Sequence, residues 1–186
     1  MKLITLSVVA IGLLLMASTV LAGAGNRAER AEVRFLEGMM DHHQMAVDMA
    51  NDCLKKAADQ TLLTLCQNII TAQTAEITQM QSWVKDWYEV DYAPEPMQMN
   101  SMPGMVMPDP TMSMSMMAGL NALTGHDYEV AWVESMIDHH DDALHMADRL
   151  LKQVEHVELR DMATTIIKDQ SAEIRMMEAL LDTWAA

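Results

Sequence analysis

Residues Phe35–Ala50 read FLEGMMDHHQMAVDMA, and residues Trp132–Ala147, which lie 97 positions later, read WVESMIDHHDDALHMA. The same offset, without insertion, relates further residues downstream: Gln73 and Gln170, Glu76-Ile77 and Glu173-Ile174, Met80 and Met177, Trp87 and Trp184. The chain therefore contains two copies of one unit. Each copy carries a His-His pair flanked by methionines inside an apolar helical pattern.

Apolar residues recur with helical spacing in both copies. The pair Asn26 and Glu29 fits a capping box, which predicts that the first helix begins near Asn26. A second helix is predicted from about Thr61 to Tyr88, and the second copy predicts helices near Asp127–Gln153 and Glu158–Trp184. No strand pattern is convincing. The sequence predicts an all-α fold in which two tandem helical hairpins form a four-helix bundle.

The N-terminus has the pattern of a secretory signal. Met1-Lys2 is a basic start, Leu3–Met16 is an apolar run, and small residues precede Ala22 and Ala24. We expect cleavage after Ala22 or Ala24 and a periplasmic or secreted protein. The alternative is an uncleaved N-terminal anchor.

The remaining chain divides into three parts. We expect the first helical hairpin in residues 23–90, a long crossover linker in residues 91–126, and the second hairpin in residues 127–186, with both hairpins in one domain. The formal net charge of the full chain is −15. This charge argues against nucleic acid and anionic membrane surfaces as partners and favours cations.

Two cysteines, Cys53 and Cys66, flank the predicted turn of the first hairpin. In an antiparallel hairpin that turns near residue 59 or 60, residues equally far from the turn face each other, so a disulfide is plausible. Leu150 and Ala163 occupy the equivalent positions of the second copy. The alternative is a pair of buried free thiols.

The predicted linker is rich in methionine, among Pro, Gly, Ser and Asn residues that break helices. Thioethers spaced so closely on one segment could converge on a soft metal ion. The alternative is a disordered linker, or methionines that pack onto the bundle. The candidate ligands are Met97, Met99, Met102, Met105, Met107, Met112, Met114, Met116 and Met117.

The histidine pairs are expected on the inner half of their helices. His42 and His43 diverge by about 100°, one on each side of the apolar stripe, and His139-His140 does the same. The preceding Asp41 and Asp138 are expected to point outward.

The hairpin register places residues opposite one another in two layers. We expect a Met/Met layer and a His/Glu layer in each copy: Met39 with Met80 and His43 with Glu76, then Met136 with Met177 and His140 with Glu173. Thioether and imidazole groups suit Cu(I). Glu76 and Glu173, and also Gln73 and Gln170, would orient the imidazoles. The alternative is a metal-free buried polar network.

Other chemistries are poorly supported. A di-iron bundle needs Glu-x-x-His on two helices, and no Glu in this chain is followed by His three residues later. There is no Cys-x-x-Cys pair for structural zinc. Gly-rich phosphate loops and nucleophile elbows are also absent from the sequence. We therefore expect a protein that is not an enzyme. His145 falls on the outer face, as a weak exposed metal site or a solvated side chain.

The segments Met39–Ala50 (MMDHHQMAVDMA) and Met136–Ala147 (MIDHHDDALHMA) resemble the paired motif of the family catalogued as domain of unknown function 305. Gln73–Met80 and Gln170–Met177 are similar to the second helix of that motif. The resemblance implies a ferritin-like helical bundle, often exported.

The Met-rich linker and signal segment are also similar to those of an envelope copper-binding member linked to copper resistance. That similarity implies Cu(I) binding through Met and His. The motif match carries this role onto His42, His43, Met49, His139, His140 and Met146, with Met39 and Met136 beside them. The remaining candidate ligands in the helical copies are Met45, Met80, His145 and Met177.

These patterns predict a periplasmic copper-binding protein that sequesters or transfers Cu(I) and supports copper resistance. Cu(II) and Ag(I) are alternative ligands, and a copper efflux or sensor protein is a candidate partner. Binding through His should weaken below about pH 6. Two alternatives stay open, namely a metal-free helical module that docks a partner and a cuprous oxidase.

Overall fold

The computed structural model describes residues 11–94 and 119–186, with side chains from Arg27 onward in the first range. Four long helices occupy these ranges: α1 (Ile11–Lys56), α2 (Gln60–Tyr88), α3 (Gly125–Leu151) and α4 (Val157–Ala185). No strand occurs within the described ranges. The predicted all-α fold is confirmed, and the bounds of α2, α3 and α4 lie within two residues of the predicted ones.

The predicted start of the first helix was wrong. Helix α1 runs through Asn26 from Ile11 because the intervening residues are mostly good helix formers without proline. Gly23 and Gly25 each cost only about 1 kcal/mol in a helix interior. The end of the predicted linker also shifts, since residues 119–121 are helical and α3 begins at Gly125. Cleavage near Ala22 stays a prediction.

The turn between α1 and α2 is fixed by a cap and a covalent bond. The carboxylate of Asp59 accepts hydrogen bonds from the backbone N–H groups of Thr61 and Leu62 at the start of α2. One turn away, Cys53 and Cys66 form a buried disulfide. The first hairpin is therefore closed at the register that the sequence predicts.

The two hairpins meet through α1 and α3, which run antiparallel. The indole of Trp132 donates to the carbonyl of Met49 at 3.0 Å, and the hydroxyl of Tyr128 donates to Asp52 at 3.0 Å. At the centre of the contact His42 meets His139, which is its own equivalent in the repeat. The two copies are thus related by a pseudo-twofold axis that passes between these histidines.

Each copy also holds the turn of the other copy through a buried glutamate. Glu32 of α1 accepts from the backbone N–H groups of Glu155 and His156, at 2.6 and 3.0 Å. Its repeat equivalent, Glu129 of α3, accepts from the N–H groups of Ala58 and Asp59, at 2.7 and 2.8 Å. Burial alone would raise the pKa of Glu32, but hydrogen bonds from Tyr88, His156 and the backbone outweigh it, so the pKa is lowered.

The apolar core is divided in two. One cluster combines the second half of α1 and the first half of α2 with Trp132, Met136 and Met177. The other combines Met39 and neighbouring residues of α1 with the far halves of the other three helices. Between them lies a cross-section of buried polar side chains. None of the helices in the part that the structure describes has the length and apolarity needed to cross a membrane.

Candidate metal centre

The polar cross-section, here called the histidine layer, takes two side chains from each helix. Alternation of apolar and polar residues along the inner faces brings these positions to one level in the bundle. Six of the eight side chains are buried and the two glutamates are half-buried. The layer consists of His42, His43, Gln73, Glu76, His139, His140, Gln170 and Glu173.

The outer part of the layer contains two equivalent His/Glu pairs. Nε2 of His43 lies 2.7 Å from a carboxylate oxygen of Glu76, and Nε2 of His140 lies 2.6 Å from one of Glu173. Both pairings are those that the hairpin register predicts. Because a carboxylate is an acceptor, each Nε2 carries the proton, and in the neutral tautomer Nδ1 keeps a lone pair.

The inner part of the layer is the contact between the two remaining histidines. The rings of His42 and His139 are in contact, tilted by 35° with centroids 3.7 Å apart, and Nε2 of His139 donates to the carbonyl of His42 at 3.1 Å. This contact joins the two hairpins, so it could not be inferred from the register of either hairpin alone.

Burial determines the charge of the inner histidines. Desolvation, with smaller repulsion from His43 and His140, lowers the pKa of His42 to about 3. Desolvation and the neighbouring imidazoles also hold the pKa of His139 well below its usual value. Both side chains therefore stay neutral below pH 6 in the metal-free protein. The expected weakening of His-mediated binding below about pH 6 stays a prediction.

The layer contains more polar atoms than hydrogen bonds. Nδ1 of His43, His139 and His140 has no hydrogen-bond partner among the described residues, and neither does either ring nitrogen of His42. The backbone of His139 lies close enough to the His42 ring to raise the pKa of His42 and so offset part of its lowering. It does not form a hydrogen bond with either ring nitrogen. Gln73 likewise leaves both its side-chain polar atoms unpartnered within the described chain. Buried polar atoms without partners are costly, so these nitrogens are the atoms most suited to a metal ion.

Thioethers lie next to the histidines on both sides of the layer. Met39 precedes His42 and His43 by three and four residues, a spacing that puts helical side chains on one face about 5–6 Å apart at Cβ. Met136 stands in the same relation to His139-His140. Buried Met49 and Met177 belong to the core cluster of Met136, and Met80 belongs to that of Met39. The predicted Met39/Met80 and Met136/Met177 pairs thus each share one cluster.

Among the described residues, carboxylate side chains do not form a metal site with histidine or cysteine. Within the described residues, no group of three or more His, Cys, Asp and Glu side chains has an arrangement that could hold a metal ion. Methionines adjacent to the histidine layer could supply the further donors. Thioether and imidazole together form a donor set that suits Cu(I) rather than Mg²⁺, Ca²⁺ or Zn²⁺.

Three predicted ligands lie away from the centre of the layer. Met45 is half-buried and packs against the first core cluster. Met146 lines a pocket with Arg34 and Arg149, whose positive charges disfavour a cation. His145 is exposed and its ring contacts Asp141, as expected for the outer face. Met97, Met99, Met102, Met105, Met107, Met112, Met114, Met116 and Met117 lie outside the described residues.

Some features of the site were missed in the sequence. Met40 is fully buried beside Met39 in the second core cluster. Asp41, expected outside, is half-buried and accepts a hydrogen bond from Tyr92 at 2.6 Å, whereas Asp138 is exposed. The buried contacts of Glu32 and Glu129 with the turns were also not predicted. The two glutamates occupy equivalent positions of the two repeats, and this equivalence could have drawn attention to them.

Comparison with known proteins defines the class. Residues 32–181 match the model of a family described as a domain of unknown function, DUF305, so the chain belongs to that family. No curated protein matches the sequence of this chain.

Solved structures of the same fold include a copper-binding protein. The chain resembles CopM in its Cu(I)-bound form with 29% sequence identity and a TM-score of 0.68, over 83% of this chain and 98% of that chain. The Cu(II)-bound form of CopM gives 33% identity and a TM-score of 0.68, over 82% and 97%. A family member from Streptomyces coelicolor that carries the designation of a secreted protein gives 28% identity and a TM-score of 0.69, over 84% and 93%.

Proposed function

We propose that the protein binds Cu(I) in its histidine layer and that it sequesters or transfers copper outside the cytoplasm. One observation carries the proposal: buried imidazole nitrogens that have no hydrogen-bond partner in the described ranges lie one helical turn from buried thioethers. Structures of CopM with Cu(I), Cu(II) and Ag support a copper-related role for this fold. A contribution to copper resistance follows as part of the same proposal.

The surroundings of the histidines suit this role. Metal ligation needs neutral imidazole, and burial keeps His42 and His139 neutral. Glu76 and Glu173 accept hydrogen bonds from the Nε2–H groups of their histidines, which leaves the lone pair of Nδ1 as the ligand. Cu(I) would then bind through Nδ1 atoms and the sulfur atoms of Met39 or Met136, with Cu(II) and Ag(I) as weaker or substitute ligands.

The linker methionines would serve as a second, faster set of ligands. The histidines of the layer are at most 3% exposed, so an ion can reach them only when the packed helices part. Thioethers of the linker would capture Cu(I) first and pass it to the layer or to a copper efflux or sensor protein. A periplasmic or secreted location fits this role.

The role proposed here is binding, without catalysis. A cuprous oxidase would consume oxygen in amounts that exceed the protein many times over, whereas a copper-binding protein would not. Measuring oxygen uptake after addition of excess Cu(I) separates the two. We expect uptake no greater than that of Cu(I) alone.

An anaerobic competition titration tests the proposal. The mature protein with its nine linker methionines replaced by serine, which leaves the layer as the proposed site, is titrated with Cu(I) in the presence of a chromogenic Cu(I) chelator. We expect this protein to retain at least one equivalent against the chelator, and replacement of all four layer histidines (His42, His43, His139 and His140) by alanine to abolish that retention. His145→Ala in the same background, an exposed histidine of α3, is the matched control and should bind like its parent. Complete removal of copper by the chelator, or unchanged binding in the variant without the four histidines, would refute the proposal.

A further inference from the structure

An open pocket lies at the junction of α1 and α3, away from the histidine layer. Its volume is about 220 Å³. Phe35, Leu150 and Met146 form its apolar part, and Ala31 contributes only a methyl group. Two arginines, Arg34 of α1 and Arg149 of α3, also line it.

The two guanidinium groups are unusual in this chain, whose formal net charge is −15. Both arginines are exposed, and neither forms an ion pair or a hydrogen bond with any of the described residues. Asp142 and Asp148 lie near enough to Arg149 for a weak electrostatic effect only. Two guanidinium groups that line one pocket, neither with a partner among the described residues, are suited to a carboxylate, which they can bind through paired hydrogen bonds.

The pseudo-twofold axis relates this pocket to a place in the same molecule that is filled. There, Tyr128 stands in place of Ala31 and Trp132 in place of Phe35, and both are fully buried. The phenol of Tyr128 donates to Asp52, which stands in place of Arg149. The ammonium group of Lys56 lies 5.1 Å from the centre of the Tyr128 ring.

The two ends therefore differ in size and in charge at equivalent positions. At the filled end an aromatic ring of the chain occupies the space, and its hydroxyl group meets an anion. At the pocket end the ring is missing, and the anion is replaced by the cation Arg149. A second cation, Arg34, replaces Ala131.

We propose that the pocket is a binding site for a small aromatic carboxylate. The ring of such a ligand would lie against Phe35 and Leu150 in the space that the phenol of Tyr128 fills at the other end. Its carboxylate would lie between Arg34 and Arg149. This proposal does not depend on copper binding, because it uses none of the histidines.

The test uses 3-phenylpropionate as the probe and the full mature chain in isothermal titration calorimetry. We expect saturable binding and at least tenfold weaker binding of 3-phenylpropanamide, which lacks the charge. Arg34→Ala and Ala31→Tyr should each weaken binding of 3-phenylpropionate at least tenfold, the second by filling the pocket as Tyr128 fills the other end. Arg175→Ala, an exposed arginine on α4, is the control and should bind normally.

Four results would overturn the proposal. Three of them are absence of saturable binding at millimolar 3-phenylpropionate, equal affinity for the amide, and unchanged binding in both Arg34→Ala and Ala31→Tyr. Displacement of the probe by an equal concentration of inorganic phosphate would also overturn it, because it would show a site for anions in general. Circular dichroism and unfolding midpoints establish that each variant is folded.

Discussion

At the scale of single residues, His42 shows how burial determines chemistry. Its side chain is 3% exposed and its ring packs on His139 across the axis that relates the two copies. A proton on either ring would place a charge in an apolar core beside other imidazoles, which explains why the pKa of both is lowered. A histidine held neutral in this way would keep the lone pair that the proposed metal ligation needs under mildly acidic conditions.

The same property predicts a pH-dependent stability of the metal-free protein. In the unfolded chain His42 takes up a proton below about pH 6.5, whereas in the folded protein its pKa is about 3. The unfolded state thus binds more protons between these values, and stability falls as pH falls through the window by about 1.4 kcal/mol per pH unit for this one group. Urea unfolding at pH 7 and pH 5 measures the total difference, of which His42 contributes about 2 kcal/mol.

The variant His42→Gln should show a smaller loss of stability between pH 7 and pH 5 than the wild type. His145→Gln is the control, since the side chain of His145 is 64% exposed. It should lose as much stability as the wild type does. An identical loss in His42→Gln and the wild type would show that His42 is not held neutral by burial.

A second prediction concerns Glu173, which accepts from Nε2 of His140. Glu173→Ala removes the group that fixes this ring, so the affinity for Cu(I) should fall about 10- to 100-fold. Anaerobic competition against a chelator measures the change. Glu178→Ala, an exposed position on the same helix, should have no effect. Equal affinities of the two variants would assign Glu173 to a structural network alone.

At the scale of the helical elements, the first hairpin has a covalent link that the second lacks. The disulfide between Cys53 and Cys66 closes a loop with a sequence separation of 13. Leu150 and Ala163, both buried, occupy the equivalent positions of the second hairpin. The double variant Cys53→Leu with Cys66→Ala therefore introduces a pair that the same fold already accommodates.

We expect this double variant to lose about 3 kcal/mol of stability, mainly because the unfolded chain gains freedom. Urea unfolding at pH 7 measures the loss, and the reduced wild-type protein should show a loss of similar size. An unchanged unfolding midpoint in both samples would mean that the disulfide contributes nothing to stability.

The helical elements also show what the sequence could predict. The periodicity and the position of the turn gave the bounds of α2, α3 and α4, and residues equally far from the turn proved to face each other, as His43 and Glu76 do. The start of α1 could not be predicted, because the capping signal at Asn26 competes with helix-forming residues before it.

At the scale of the whole molecule, the packing of one hairpin against the other could not be predicted from the sequence. An internal repeat shows that two units are alike, but it does not determine which faces meet. The contact of His42 with His139 depends on the antiparallel packing of α1 and α3. Likewise, the carboxylates of Glu32 and Glu129 each bind the turn of the other hairpin. The candidate site therefore belongs to the assembled bundle.

A closed layer and a Met-rich linker predict two rates of copper uptake. Cu(I) should bind the linker quickly and the buried layer slowly, because the layer opens only when the helices part. Stopped-flow exchange from a chromogenic Cu(I) complex measures both phases. Replacement of the nine linker methionines by serine, at unchanged length, should remove the fast phase and keep the slow one. A single fast phase in that variant would contradict the division of roles.

We propose that imidazole and thioether groups of the histidine layer bind the same ion. X-ray absorption spectroscopy of the serine-linker variant, loaded anaerobically with one equivalent of Cu(I), identifies the ligand atoms. We expect nitrogen scattering with the multiple-scattering pattern of imidazole together with at least one sulfur. A spectrum with only sulfur ligands, or failure of this variant to retain Cu(I), would contradict it.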